Sequence, residues 1–436
     1  MENTNRPNQN NGNPVPRRPR RKKRSPLQIF VKHYLPLVAV VLVIVLFIIF
    51  AVGSVRRGNE RREQARQESI AQEESLAQQQ RDWEQEAAQL IAEADKYAAS
   101  CDFDLAIEVL NQFSGNPYDF KNLTDKRTEY ENGESTLVSV DNVTTIPCLS
   151  FGSLMADSSA FVGEKGENNR RSYISAQEFL AILQQMYDKG YMLVGLDDVF
   201  TTEKDENGAT VMATQDLRLP AGKKPVILIH SGSYVNRLVV QYGGPLFGSE
   251  TLEDHATTAD FVPLLEEFIA SHPGFSYKGA RAILAVTGSK GLFGNELTDP
   301  TLGALVSALQ DRGYTIASNT YGDVAYGKLK AEKLQEDIAS WETSIEPILG
   351  NTQVLVYSRS SDISDSKQPY DSEKFDMLYE AGFRYYFGMC YTSSPWMTVA
   401  EDHVRIGRLV VNGNNLKTNA TWFAPYFDST TVLNVK

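Results

Sequence analysis

The chain has 436 residues, of which 42% are hydrophobic and 22% charged, and carries a formal net charge of −12. That acidic balance excludes a grip on nucleic acid by non-specific charge, and three cysteines, Cys101, Cys148 and Cys390, exclude both a dense disulfide framework and a cysteine metal cluster. The charge is unevenly spread: residues 1–57 hold 11 basic and 1 acidic side chains, so the remaining 32 basic and 54 acidic ones leave the rest of the chain near −22.

Residues 1–34 are rich in Asn and Pro and contain Arg17, Arg18, Arg20, Arg21, Lys22, Lys23, Arg24 and Lys32, a composition that predicts a disordered basic tail. Leu35 to Val55, LPLVAVVLVIVLFIIFAVGSV, then runs 21 residues without a charge, where a helix needs about 20 to span a bilayer. A signal peptide has a shorter apolar core, about 7–15 residues, and ends in small residues. This run ends in Arg56-Arg57, so it reads as an uncleaved transmembrane helix. The basic flank before it predicts a single-pass plasma-membrane protein with its N-terminus in the cytoplasm and its C-terminal domain extracellular. The same flank has affinity for anionic membrane lipid, which accounts for it without nucleic acid.

Residues 56–82 contain no Pro and few large apolar residues, which predicts a solvated helical stalk. From Trp83 the pattern changes: Ala87, Leu90, Ile91, Ala94, Tyr97 and Ala98 recur at helical spacing and need a packing partner. A turn at Cys101–Asp104 and a second helix from Leu105 to Phe113 supply one, so 83–128 reads as a helical hairpin. Its pattern A-x-x-Y-A-x-x-x-D-F-D-x-A-I-x-x-L resembles one tetratricopeptide repeat, and a single copy does not build the stacked array of such repeats. The hairpin is expected to serve as a spacer or cap, with recruitment of an envelope protein as the alternative.

After a linker at 129–145, short apolar runs alternate with amphipathic helices over 146–436, the pattern of an α/β domain with a largely parallel sheet. Strands are expected at Ile146–Phe151, Met192–Leu196, Val226–His230, Ala282–Val286, Thr315–Ser318, Val354–Tyr357 and Tyr385–Phe387. Between the first two, Phe179, Ile182, Leu183, Met186 and Tyr187 mark one face of a helix that Gly190 stops. The length suits one barrel, since α/β barrels typically take about 250 residues.

Seven segments then appear in a fixed order: IPCLSFGSLMAD, YISAQEFLAILQQMYDKGYMLVGLDDVF, LPAGKKPVILIHSGSYV, HPGFSYKGARAILAVTG, LQDRGYTIASNTYGDVAYGKL, LYEAGFRYYFGM and VRIGRLVV. In this order they resemble the polysaccharide deacetylase (NodB-homology) family, over residues 146–411. The resemblance implies a distorted (β/α) barrel. It also implies a divalent metal, often zinc, on one Asp and two His, polarising an acetyl carbonyl while a second Asp activates water, the work of a Lewis acid with an open position beside a base.

The chain departs from the family at those positions. The family's T-F-D-D-G is here Ile229-His230-Ser231-Gly232-Ser233, so the base position is Ser231 and the metal-ligand Asp position is Gly232. The H-x-x-x-H pair falls on Asn319 and Asp323, the His of the opening F-H-S-L on Gly152, and the P-F-G turn on Ser358-Arg359-Ser360. Glycine offers no ligand and Asn is a poor one for zinc, so the inherited metal site reads as dismantled and no cofactor is expected. Rescue by His230, Asp254 or His255 is disfavoured, because neighbouring strand residues face opposite sides and a lumen-facing Ser231 turns His230 outward. His272 and His403 read as structural or surface residues. Ser231 lacks the G-x-S-x-G elbow of a hydrolase nucleophile, and GSYVNRLVVQYGGPLFG lacks a nucleotide fingerprint.

Tyr234, Tyr321, Tyr326, Tyr391 and Trp396 fall on loops after strands and are the candidate glycan contacts. Three functions are consistent with these residues. The first is a membrane-anchored, catalytically degenerate deacetylase homologue that recognises cell-wall polysaccharide, peptidoglycan or a wall partner. The second is an active polysaccharide deacetylase with an atypical metal site, zinc or another divalent ion. The third is an envelope scaffold acting through its helical stalk.

Overall fold

The computed structural model describes residues 31, 34–156, 158–232, 234, 236–241, 247–250, 256–257, 259–364 and 369–434. The basic tail through residue 30, Ser233, Asp254 and His255 lie outside the described residues. The chain divides into two compact units, Met1–Asp82 and Trp83–Lys436.

Helix α1 (Leu35–Ala99) contributes its first part to the first unit. Its opening segment carries Leu, Val, Ile and Phe on all sides, with Phe47 72% and Phe50 68% exposed. Among the described residues α1 is the one helix long and apolar enough to cross a membrane.

In the second unit, the end of α1 packs with α2 (Phe103–Leu110) and α3 (Lys121–Glu131). Ala87 and Ala94 meet Ala106, Leu110, Phe113, Phe120, Leu123 and Tyr130 in one apolar cluster. Asp102 caps α2 by accepting from the Leu105 amide. Asp95 ties α3 back to α1 by accepting from Lys126 Nζ and Tyr130 Oη, both at 2.8 Å. Three helices therefore pack together where the sequence suggested a hairpin of two. Leu123 and Tyr130, seven positions apart, are the buried stripe that makes α3 a helix. Leu137–Ser139, inside the expected linker, pairs antiparallel with Arg218–Pro220.

The main domain is a closed parallel barrel of seven strands; the alternating pattern predicts its parallel α/β character, and the barrel is what the resemblance implies. Its elements are β1 (Cys148–Phe151), β2 (Tyr191–Leu193), β3 (Lys224–Ser231), β4 (Ile283–Val286), β5 (Thr315–Ser318), β6 (Val354–Val356), β7 (Tyr385–Met389) and β8 (Val404–Val411). The ring runs β1, β3, β4, β5, β6, β7, β8 and back to β1. The expected strand near Met192 forms as β2 but is not a stave, since its ladder runs along Lys224–Val226 at the start of β3, with one further bridge from Leu193 to Ser276. The seventh stave is β8, whose first half pairs with β7 and whose second half pairs with β1.

Alternate residues fill the lumen: Ile227, Ile229, Ile283, Ala285, Ala317, Val354, Val356, Phe387, Val404 and Ile406 pack as one cluster. Met192, Val194, Leu196 and Leu219 join it and close the N-terminal end. The opposite faces of the strands take the helices, among them α4 (Ala176–Asp188), α5 (Phe261–Ser271), α6 (Leu302–Asp311), α7 (Ala331–Ser344) and α8 (Glu373–Glu380). In α4, Phe179, Ile182, Leu183 and Met186 are fully buried, and Ser175 with Glu178 forms a capping box.

The three-helix cluster docks on this closed end. The Lys278 amide donates to the Ser100 carbonyl at 2.7 Å, Lys278 Nζ reaches Glu134, and Cys101 enters the lumen-end cluster beside Tyr277. Nearby, Glu266 of α5 accepts from Arg281 Nε at 2.6 Å, Arg312 Nε at 2.9 Å and Tyr314 Oη at 2.8 Å, joining α5 to the segments that enter β4 and β5. Burial alone raises the Glu266 pKa, and the bonds and charge of Arg281 with Arg312 and Tyr314 reverse this and leave it below its ordinary value. A lowered carboxylate pKa adds stability that is present above the unfolded value and lost as pH falls through the folded one. Glu266→Gln should therefore cost about 3–5 kcal/mol near neutral pH, because Arg281 is left buried without its partner. Denaturant titration of the full chain in detergent should show this deficit shrinking below about pH 4.

Candidate barrel-mouth site

The C-terminal ends of the staves carry the positions where the family resemblance places chemistry, and barrels of this kind build active sites there. The backbone at this end is bent: Gly232, Thr320, Asp323, Arg359 and Ser360 all have positive φ, at 109°, 64°, 52°, 53° and 57°. Such conformations persist only where surrounding bonds hold them. Asp337 of α7 supplies several, accepting from the amides of Tyr321 and Gly322, both at 2.9 Å, and from Tyr326 Oη at 2.7 Å.

Each family position has a definite neighbour. Ser231 ends β3 half-buried, with its Oγ 3.0 Å from Ser150 Oγ on β1. Gly232 follows with open space at its α-carbon. Asn319 is 4% exposed and donates from Nδ2 to the Val356 carbonyl at 2.6 Å, tying the ends of β5 and β6 together. Asp323 pairs with Arg359 at 3.2 Å instead. Among the described residues no group of three or more His, Cys, Asp or Glu side chains converges as a metal site. The donor set thus does not fit a zinc ion: one position has no side chain, one amide is committed to a backbone carbonyl, and the carboxylate is held by a guanidinium.

The polar residues that do meet in the lumen include one that the sequence reading quoted but did not single out. Arg408 of β8 is 4% exposed; its Nη1 donates to Ser150 Oγ at 3.1 Å and its Nη2 to the Tyr357 carbonyl at 2.8 Å. Its Nε is buried without a partner. Among the described residues no carboxylate pairs with it, and Cys148 and Tyr391 are the titratable groups whose fields reach it. Burial lowers its pKa to about 10, which leaves the guanidinium charged at neutral pH. The signal for it was present in VRIGRLVV: a charged residue three positions from another in an apolar strand places them on opposite faces. Arg405 faces outward and pairs with Asp362 at 3.2 Å.

The aromatic candidates separate. Tyr391 is 58% exposed, edge-on to Trp422 with ring centroids 6.2 Å apart. Tyr321 is half-buried, and its carbonyl accepts from the amides of Gly288 and Ser289. Tyr326 is 1% exposed and fixed on Asp337, so it holds the loop rather than facing a groove. Trp396 lies against Gly407 on the outer wall, with Arg405 5.9 Å from its ring. Tyr234 has a fully enclosed hydroxyl without a partner. It helps to line a cavity of about 80 Å³ with Gly232, Thr287 and Lys290. A larger groove of about 770 Å³ lies away from this mouth, between the end of α1 and α5.

His230, beside Ser231, faces the helices as strand alternation requires. Its ring packs on Tyr234 at 4.3 Å and Phe261 at 5.2 Å, and neither nitrogen has a hydrogen-bond partner. Burial lowers its pKa to about 3, so it is neutral in the fold and protonates only on unfolding between that value and the ordinary 6.5. Stability owed to neutral His230 is present above pH 6.5 and lost as pH falls toward 3. His230→Phe removes two unsatisfied nitrogens and should be more stable than the wild type by about 1–3 kcal/mol at pH 7. In parallel denaturant titrations its advantage should widen by about 1.4 kcal/mol per pH unit between about pH 6 and 3.

No family model matches the chain, and no curated protein does. Among solved structures it is similar to a Streptococcus pyogenes deacetylase, PplD, in complex with acetate, with TM-score 0.38 and 12% identity over 64% of this chain and 95% of that one. It is also similar to a putative polysaccharide deacetylase from Mycobacterium smegmatis, with TM-score 0.22 and 13% identity over 30% of this chain and 41% of that one.

Proposed function

We propose that this chain is a membrane-tethered protein of the cell envelope whose deacetylase-like barrel recognises glycan rather than deacetylating it. The observation that carries the reading is the commitment of the family's metal positions to other partners. Gly232 has no donor, Asn319 serves the Val356 carbonyl, and Asp323 serves Arg359. Hydrolysis by the family's route requires an electrophilic metal and a carboxylate base at one point, and Ser231 at the base position is hydrogen-bonded to Ser150. What the mouth retains is a shaped rim on rigid strands, with Tyr391 exposed at its edge. A half-exposed aromatic with a supporting neighbour offers an apolar face at low cost in conformational freedom. The apolar start of α1 supports a tether.

The full chain, purified in detergent and incubated with zinc, should hold well under one equivalent of metal. It should release no acetate from chitooligosaccharide or peptidoglycan, yet be retained by insoluble peptidoglycan. Tyr391→Ala should weaken that retention by about 2- to 10-fold, the range for one aromatic contact. One equivalent of zinc with turnover would establish the active-deacetylase reading in its place. Retention that survives disruption of the mouth but not of residues 83–131 would favour the scaffold.

A further inference from the structure

The lumen contains an unbalanced charge. Arg408 sits inside the barrel and, among the described residues, donates only to a hydroxyl and a backbone carbonyl and leaves its Nε unpartnered. A buried guanidinium normally persists because a carboxylate or phosphate completes it; without one, desolvation is uncompensated. Along one line the charge has a polar exit. Arg408 Nη1 donates to Ser150 Oγ at 3.1 Å, and Ser150 Oγ lies 3.0 Å from Ser231 Oγ, which is half-buried where β3 opens into the mouth. Gly232, the next residue, leaves open space where this line ends. Lys290, which shares the lining of a cavity of about 80 Å³ with Gly232, adds a second positive charge at this end of the barrel.

We infer that Arg408, acting through Ser150 and Ser231, makes the barrel mouth a subsite for a carboxylate on the bound ligand. A hydroxyl whose own acceptor side faces a hydroxyl held by a guanidinium is biased to donate outward, which suits a carboxylate oxygen, and the field of Arg408 disfavours a cation there. The family places a carboxylate base and a metal here. This chain instead presents hydroxyls backed by a fixed positive charge, so the anion comes from the ligand. Identifying the ligand as a sugar carrying the carboxylate, a uronic acid or a lactyl-ether amino sugar, rests on the glycan-recognition reading. The anion subsite itself stands on the buried charge. The acidic balance of the chain beyond residue 57 is no obstacle, because surface charge is screened within about 10 Å in ordinary salt.

The test compares the full chain in detergent with Arg408→Met and Ser231→Asp, at constant ionic strength. Binding is measured by calorimetry for N-acetylmuramic acid, glucuronic acid, N-acetylglucosamine and acetate. The wild type should favour the acidic sugars over the neutral one by at least about 10-fold, and both variants should lose that preference. Ser231→Asp supplies an internal counter-charge to Arg408, so its thermal midpoint should rise while acid binding disappears. That result keeps the proposal open to refutation even if Arg408→Met fails to fold. Equal binding of acidic and neutral sugars by the wild type would overturn the subsite while leaving glycan recognition intact. Acetate binding that depends on Arg408, with no sugar bound, would uphold the subsite and reject the sugar. An acid preference unchanged in Ser231→Asp would also overturn it.

Discussion

The barrel depends on one seam. Strand β8 has to leave β7 and meet β1, the first stave in the chain, and only then does the sheet lose its open edges. The seam joins residues far apart in sequence: the Arg408–Ser150 hydrogen bond spans 258 positions. Contacts of that separation carry a high loop-closure cost and form late unless strong apolar packing rewards them. Here the reward is the continuous lumen cluster from Ile227 to Ile406. The same closure turns Arg408 inward, so the element that completes the fold also installs the charge at its mouth.

Much of this architecture was legible because the staves obey simple patterns. Runs such as VILIH and ILAV, flanked by amphipathic helices, mark buried parallel strands. Strand β8 was not legible as a stave, since two arginines interrupt its apolar character and each finds a partner only after the chain has folded. Met192 reads as a strand residue correctly, yet nothing local says whether a strand closes the ring or pairs beside it; its neighbours lie in β3 and in the lumen-end cluster. Helix α3 was missed because only Leu123 and Tyr130 declare its buried side within a charged sequence.

At the mouth, the positions of Ser231, Gly232, Asn319 and Asp323 followed from resemblance, and the sequence showed which residue types stand there. It did not show which partners they take in the fold. Asn319 bonding across to β6, and Asp323 meeting Arg359 through two left-handed backbones, are products of loop geometry. Tyr326 illustrates the same limit: a tyrosine on a loop after a strand looks available for ligand, and Asp337, eleven residues on in a different element, takes its hydroxyl inward.

The Gly232 backbone makes installing an Asp-His-His donor set at this mouth harder than exchanging side chains. An aspartate there would have to adopt φ near 109°, a region that residues with a β-carbon rarely occupy. A divalent ion would then sit beside Ser231, two hydrogen bonds from a guanidinium that no carboxylate among the described residues pairs with. Neighbouring like charges repel strongly where water is scarce. A divalent ion at this mouth would therefore be opposed by Arg408 whatever side chain stood at position 232.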